Sequence, residues 1–146
     1  MVSSDHAPWP AERKSNRADI FANASGTPGV ETLLPLVYST GVANGRFDIE
    51  QCARLTAETP ARTFGLYPRK GHLAPGADAD LVIIDPSAAW TLRAADLQSA
   101  AGWTPYEGRP MRGRVIATLV RGRLVYDGQS VLGQPGDGQF IRPTTR

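Results

Sequence analysis

Residues 115–126 constrain the fold more than any other stretch of this chain. Val115-Ile116-Ala117-Thr118-Leu119-Val120 and Arg123-Leu124-Val125-Tyr126 are short apolar runs separated only by Arg121-Gly122. A two-residue loop with glycine second suits an antiparallel hairpin, so the spacing predicts one here. Upstream, Ala79-Asp80-Leu81-Val82-Ile83-Ile84-Asp85-Pro86 is a compact apolar run that Asp85-Pro86 should stop. From about Leu66 the chain therefore has the texture of strands and tight turns. Gly128 to Arg146, rich in glycine and proline, reads as an extended tail.

The first half is different. Met1 and Val2 form a stub of apolar strand that ends in Ser3-Ser4-Asp5-His6, after which Pro8 and Pro10 forbid regular pairing. Residues 9–27 carry few apolar positions and read as a long loop of the kind that covers a site. Thr27-Pro28 offers an N-cap and first helical residue. Val30, Leu33, Leu34 and Val37 then recur at helical spacing, with Pro35 expected to kink or divide that helix. Asp48 and Gln51 form a capping-box-like start, and Thr59-Pro60 restarts a short turn that Gly65 can end. Cys52 and Leu55 share one face, which makes Cys52 a core residue rather than a nucleophile.

Composition excludes several classes. The 146 residues are 41% hydrophobic and 21% charged, enough for an ordinary domain with its own core. The net charge of +2 comes from dispersed arginines, not from a dense basic run, which speaks against a nucleic-acid groove. One cysteine permits neither an intrachain disulfide nor a thiolate zinc cluster. No apolar stretch of about 18 residues and no charged leader with an apolar core is present, so no membrane span or secretory signal is expected and the cytoplasm is the default location.

The order of short motifs carries a family resemblance. Ser4-Asp5-His6-Ala7-Pro8, Pro28-Gly29-Val30-Glu31 with Leu34-Pro35-Leu36, Asn44-Gly45-Arg46, Phe64-Gly65-Leu66-Tyr67-Pro68-Arg69-Lys70-Gly71 and Gly76-Ala77-Asp78-Ala79-Asp80-Leu81-Val82-Ile83 follow one another as in the C-terminal part of cyclic amidohydrolases. The chain resembles hydantoinases and dihydropyrimidinases, near allantoinases and dihydroorotases, over nearly its whole length. Tyr106-Glu107-Gly108 and Gly136-Asp137-Gly138-Gln139-Phe140-Ile141 are similar to that family too.

The resemblance implies an α/β fold: the last strand and helices of a (β/α)8 barrel in residues 1–65, part of a small β-sandwich in 66–127, and an extended tail in 128–146. It implies a two-metal centre, usually zinc, at the barrel mouth, held by a His-x-His pair, a carboxylated lysine, two further histidines and one aspartate. Asp5 matches that aspartate. In the family's chemistry it contacts one metal, takes a proton from the metal-bound hydroxide as this attacks the ring carbonyl, and protonates the leaving amide nitrogen. Ser25 and Gly26, in the loop before Pro-Gly-Val-Glu, match the segment that binds the imide part of the substrate mainly through its backbone. His6 is assigned a supporting or packing role, because neighbouring strand residues point to opposite faces. His72 reads as a surface histidine.

Two departures refine this expectation. Dihydroorotases usually follow Asp-His-Ala-Pro with a histidine, whereas Pro8 is followed by Trp9, which fits hydantoin or dihydropyrimidine rings better and leaves allantoin-like rings open. Only two histidines are present, with no His-x-His pair, so this chain cannot hold the two-metal centre alone. The reading that follows is a truncated C-terminal part of a cyclic amide hydrolase, inactive alone and a homo-oligomer in its complete form, without nucleic-acid or membrane partners. The alternatives are a non-catalytic subunit that assembles with a full-length partner, and a small independent β-domain that binds a ligand without metal. Leu33, Leu34, Leu36 and Val37 would lack the barrel they are patterned to cover, a loss of roughly 6–12 kcal/mol at about 1.5–3 kcal/mol per side chain. Poor solubility or oligomerisation of the isolated chain is therefore expected.

Overall fold

The computed structural model describes residues 1–144; the tail's last two residues, Thr145 and Arg146, lie outside them. After two short 3-10 turns, Ala11–Lys14 and Ile20–Ala22, come two longer helical runs. α1 (Leu33–Val37) widens without a break into a π turn, Tyr38–Val42. α2 (Ile49–Ala53) passes through a second π turn, Arg54–Glu58, into α3 (Thr59–Thr63). Asp48 caps α2 as its spacing predicts, accepting the Gln51 N–H at 2.7 Å.

Both prolines behave differently from expectation. Helix α1 starts at Leu33 and not at Thr27-Pro28, which places Pro35 in the first turn, where its missing N–H costs nothing. Pro60 does not restart a turn, because the helix runs through it. The Thr59 N–H reaches back five residues to the Arg54 carbonyl, while the Leu55 carbonyl it would otherwise use accepts the Val2 N–H at 3.1 Å.

The second half is a three-stranded antiparallel sheet in the order β1-β2-β3: β1 (Leu81–Thr91), β2 (Pro110–Val120) and β3 (Arg123–Tyr126). The β2–β3 hairpin forms as expected, with Arg121 and Gly122 at φ 50° and 77°, the turn that matches strand twist. Asp85-Pro86, in contrast, does not stop β1. Pairing jumps from Asp85↔Arg114 to Ala89↔Arg112, so a bulge absorbs Pro86, Ser87 and Ala88 opposite Gly113. Asp85 closes that bulge by accepting the backbone N–H and the hydroxyl of Ser87.

Gly113 is also where helix and sheet meet. A Cβ there would lie 2.2 Å from the Tyr38 ring, so the first helical run packs its aromatic residue directly on β2. Beside it, the Ser39 hydroxyl accepts the Arg112 N–H at 3.0 Å and the Trp90 indole donates to the Gly113 carbonyl at 2.9 Å. Leu92, Met111 and Cys52 are the largest fully buried side chains, and Tyr38, Ala61 and Ala101 complete a small core. Burial raises the Cys52 pKa, which leaves an inert packed thiol, as its helical position predicts.

The start of the sheet is stapled by acids. Asp78 pairs with Arg69 and Lys70, and Asp80 pairs with Lys70 while accepting the Arg121 N–H at the hairpin turn. The tail turns back along β3, with Tyr126 and Val131 bridged and Asp137 pairing with Arg123. Among the described residues no helix is long and apolar enough to cross a membrane.

Candidate functional site

Two segments meet at the front of the molecule. Residues 4–7 run beside residues 25–30: His6 and Thr27 form a parallel bridge, and the Ala7 N–H donates to the Thr27 carbonyl at 2.9 Å. The approach is close enough that a Cβ on Gly26 would stand 2.4 Å from that of Ala7, and Gly26 adopts φ 96°. Only glycine meets both demands. Gly29 lies against the Ser4 carbonyl, 3.1 Å from where its Cβ would be.

Asp5 sits at the centre of this junction with φ 45°, in the left-handed region. Aspartate enters that region more readily than most residues, yet the conformation is still strained and persists only where neighbours impose it. The side chain is exposed and, among the described residues, has no ion pair. Ser25 is likewise exposed, immediately before Gly26. The structure therefore brings the Asp5 segment and the Ser25-Gly26 segment together.

His6 has a role that spacing alone did not disclose. Its Nδ1 accepts the N–H groups of Gly29 at 2.9 Å and Val30 at 3.2 Å. A ring nitrogen that accepts carries no proton, so the neutral imidazole holds its proton on Nε2. A metal ligand through Nε2 has the opposite tautomer and donates through Nδ1. His6 is thereby disfavoured as a ligand, in agreement with the supporting role expected of it.

The long loop is closed on itself and tied down. Ala24 donates to the Arg13 carbonyl, Lys14 Nζ donates to the Ala24 carbonyl at 2.6 Å, and Asn16 and Asn23 exchange hydrogen bonds. The Trp103 indole donates to the Trp9 carbonyl at 2.8 Å, so Trp9 anchors the loop through its backbone while its ring stays exposed. Arg13 lies over that ring and Lys14 over Trp103. Glu31 accepts the Gln98 N–H, a second tie to the β1–β2 connection that the sequence did not signal.

His72 departs from the surface position expected. It is half-buried, its ring 4.9 Å from that of Tyr67, whose other neighbour is the Arg62 guanidinium at 3.5 Å. Its Nδ1 is buried and has no partner among the described residues. The group belongs to the packing beneath α3, where Gly71 meets Ala61, and not to the Asp5 junction.

No group of three or more His, Cys, Asp or Glu side chains that could hold a metal ion exists among the described residues. The free Asp5 carboxylate fits a hard or borderline cation as a single ligand, and a complete centre requires others from outside these residues.

Comparison with known proteins defines the class. A model of the amidohydrolase family matches residues 27–126, and the chain belongs to that family. Within it, the chain is 38% identical over 143 residues to the D-hydantoinase of Ralstonia pickettii, covering 97% of this chain and 31% of that protein. The solved D-hydantoinase of Bacillus sp. AR9 superposes with a TM-score of 0.94 at 37% identity, over 100% of this chain and 32% of its own. The dihydropyrimidinase of Brevibacillus agri NCHU1002 gives 0.94 at 31% identity, over 99% and 32%. This chain thus spans about a third of the length of the relatives it matches, and the family resemblance in its motif order is borne out.

Proposed function

We propose that this chain is the C-terminal portion of a metal-dependent hydrolase that opens cyclic amides of the hydantoin, dihydropyrimidine or allantoin type. Its residues 1–65 end a (β/α)8 barrel and the sheet contributes to a β-sandwich. The observation that carries the reading is Asp5: a free, exposed carboxylate held in a strained backbone conformation against the Ser25-Gly26 segment, in a chain whose relatives are hydantoinases.

In this reading a zinc pair, held mainly by residues outside this chain, supplies Lewis acidity at the ring carbonyl. Asp5 would give that centre one carboxylate ligand. The same carboxylate accepts the proton of the attacking water and delivers it to the amide nitrogen, which is a poor leaving group until protonated. Ser25 and Gly26 hold the imide edge of the ring through backbone groups. Alone the chain is inactive, because it brings one ligand; the complete enzyme is a cytoplasmic homo-oligomer.

The test combines this chain with a polypeptide supplying the remaining two thirds of a hydantoinase and measures bound zinc with hydantoin and dihydrouracil opening. Activity is expected only in the mixture, with Asp5→Ala lowering it by about 10²–10⁴-fold, the usual weight of a positioned acid or base. Full activity in the Asp5→Ala mixture would overturn the assignment. Stable assembly without activity would favour the non-catalytic subunit instead.

A further inference from the structure

We propose that His6 is a positioning residue, whose Nδ1 gathers the Gly29 and Val30 amides and so clamps the Asp5 turn to the segment that carries Ser25 and Gly26. The inference deepens the catalytic reading of Asp5 and rests on it.

Contacts hold the chain on both sides of Asp5, and among the described residues the hydrogen bonds that His6 accepts tie its turn to residues 29–30 through a side chain. Before Asp5, the Ser4 carbonyl packs on Gly29. After it, Ala7 donates to Thr27. Between these, the imidazole reaches 23 and 24 residues along the chain to two successive amides. Those amides follow Pro28, which has no N–H, and precede α1, so they lie where backbone donors have no helical acceptor. One bare ring nitrogen satisfies both. The left-handed φ of Asp5 is thus imposed from either side, and its carboxylate alone remains free to act.

The tautomer is part of the device. With Nδ1 committed as acceptor, Nε2 carries the proton and the ring holds position without competing for metal. An asparagine can reproduce the clamp, because its Oδ1 stands about where Nδ1 does, whereas leucine cannot.

The experiment uses the assembly of this chain with the complementary hydantoinase polypeptide, uniform 15N labelling being introduced in this chain only. With two histidines in the chain, His6 and His72, the ring signals are assignable. The expected spectrum has His6 Nε2 protonated and Nδ1 bare, with coupling across the hydrogen bonds to Gly29 and Val30. In kinetics, His6→Leu lowers kcat about 10- to 100-fold, as loss of a group orienting a metal-site residue does, with KM shifted less than about threefold. His6→Asn recovers most of the loss. Should His6→Leu fail to fold, His6→Gln, with its acceptor one carbon too far out, takes its place against His6→Asn.

A protonated Nδ1, or a His6→Leu enzyme with wild-type kcat, overturns the positioning role while leaving an Asp5-dependent enzyme intact. Activity that survives Asp5→Ala overturns the catalytic reading itself, even where the bare Nδ1 and its two couplings are observed. Loss in His6→Leu with recovery in His6→Asn supports the clamp, because a residue needed only for packing is not replaced by a smaller polar one.

Discussion

At the scale of single residues, the junction around Asp5 is governed by two close approaches. Gly26 combines a left-handed φ with a backbone that passes against Ala7. Gly26→Ala is therefore expected to destabilise by about 1–3 kcal/mol from the backbone conformation alone, with the steric overlap added. Ala7→Gly in the same molecule should relieve the overlap and not the backbone strain. Denaturant midpoints of the single and double variants check this, and a Gly26→Ala protein of unchanged midpoint would show that the junction gives way. Asp5 was legible as a residue to watch because its neighbours Ser4, His6, Ala7 and Pro8 form a motif. The bond from His6 to Gly29 and Val30 was not, since contacts across 23 and 24 residues leave no mark on local spacing.

At the scale of elements, the hairpin, the Asp48 cap and the buried face of Cys52 were legible, because each depends on residues a few positions apart. The passage of β1 through Asp85-Pro86 was not. A proline stops a strand only where its N–H is needed, and the bulge opposite Gly113 removes that need. Thr27-Pro28 misled for the converse reason: its helix-start chemistry is overridden by Thr27 pairing with His6 and Ala7.

Asp80 shows how one acid joins elements, holding the Arg121 amide at the hairpin turn and Lys70 before β1. Asp80→Ala is expected to speed hydrogen exchange of the Arg121 amide about tenfold or more, the loss of a charge-assisted bond. Exchange at the wild-type rate would mean that the turn holds itself.

The acids of the sheet and tail also set an acid limit. The Gln134 amide, together with the positive charge of Arg123, holds the Asp137 pKa below its usual value. Lys70 acts first on Asp78, with the Arg69 hydrogen bond assisting, and the amides of Ser130 and Gln129 act on Asp127, in the same direction. A carboxylate whose folded pKa is depressed contributes stability above its unfolded value, about 4, and loses that contribution as the pH falls through the folded value. The tail is thus expected to stay docked at pH 6 and to become protease-sensitive as acidification passes below about 4 and then through the lower, folded values of these carboxylates. Asp137→Asn should be sensitive already at pH 6. Limited proteolysis followed by mass spectrometry reads both, and equal cleavage of wild type at pH 6 and pH 3 would refute the link.

At the scale of the whole molecule, the surface is too large for a finished domain. The accessible area is 9837 Å² for a mass of 15.7 kDa, whereas a monomer of that mass exposes about 7,300 Å². The difference, about 2,500 Å² by the same scaling, falls in the range of obligate interfaces. Its chemistry agrees: Phe21, Phe140, Leu73 and Ile20 are 96%, 86%, 78% and 76% exposed, and Leu33, Leu34, Leu36 and Val37 are only half-covered. Neighbouring apolar positions on β1, Val82 and Ile83, are also open, on a strand with one unpaired edge. The chain spans about a third of the length of its relatives, and under the proposed function these open faces are the ones the remaining two thirds would cover. Alone it is expected to form oligomers or aggregates, and the complementary hydantoinase polypeptide should convert these into one discrete species that melts cooperatively. Size-exclusion chromatography with light scattering, followed by calorimetry, decides the matter: a monodisperse 15.7 kDa monomer with a sharp transition would mean that these faces need no cover.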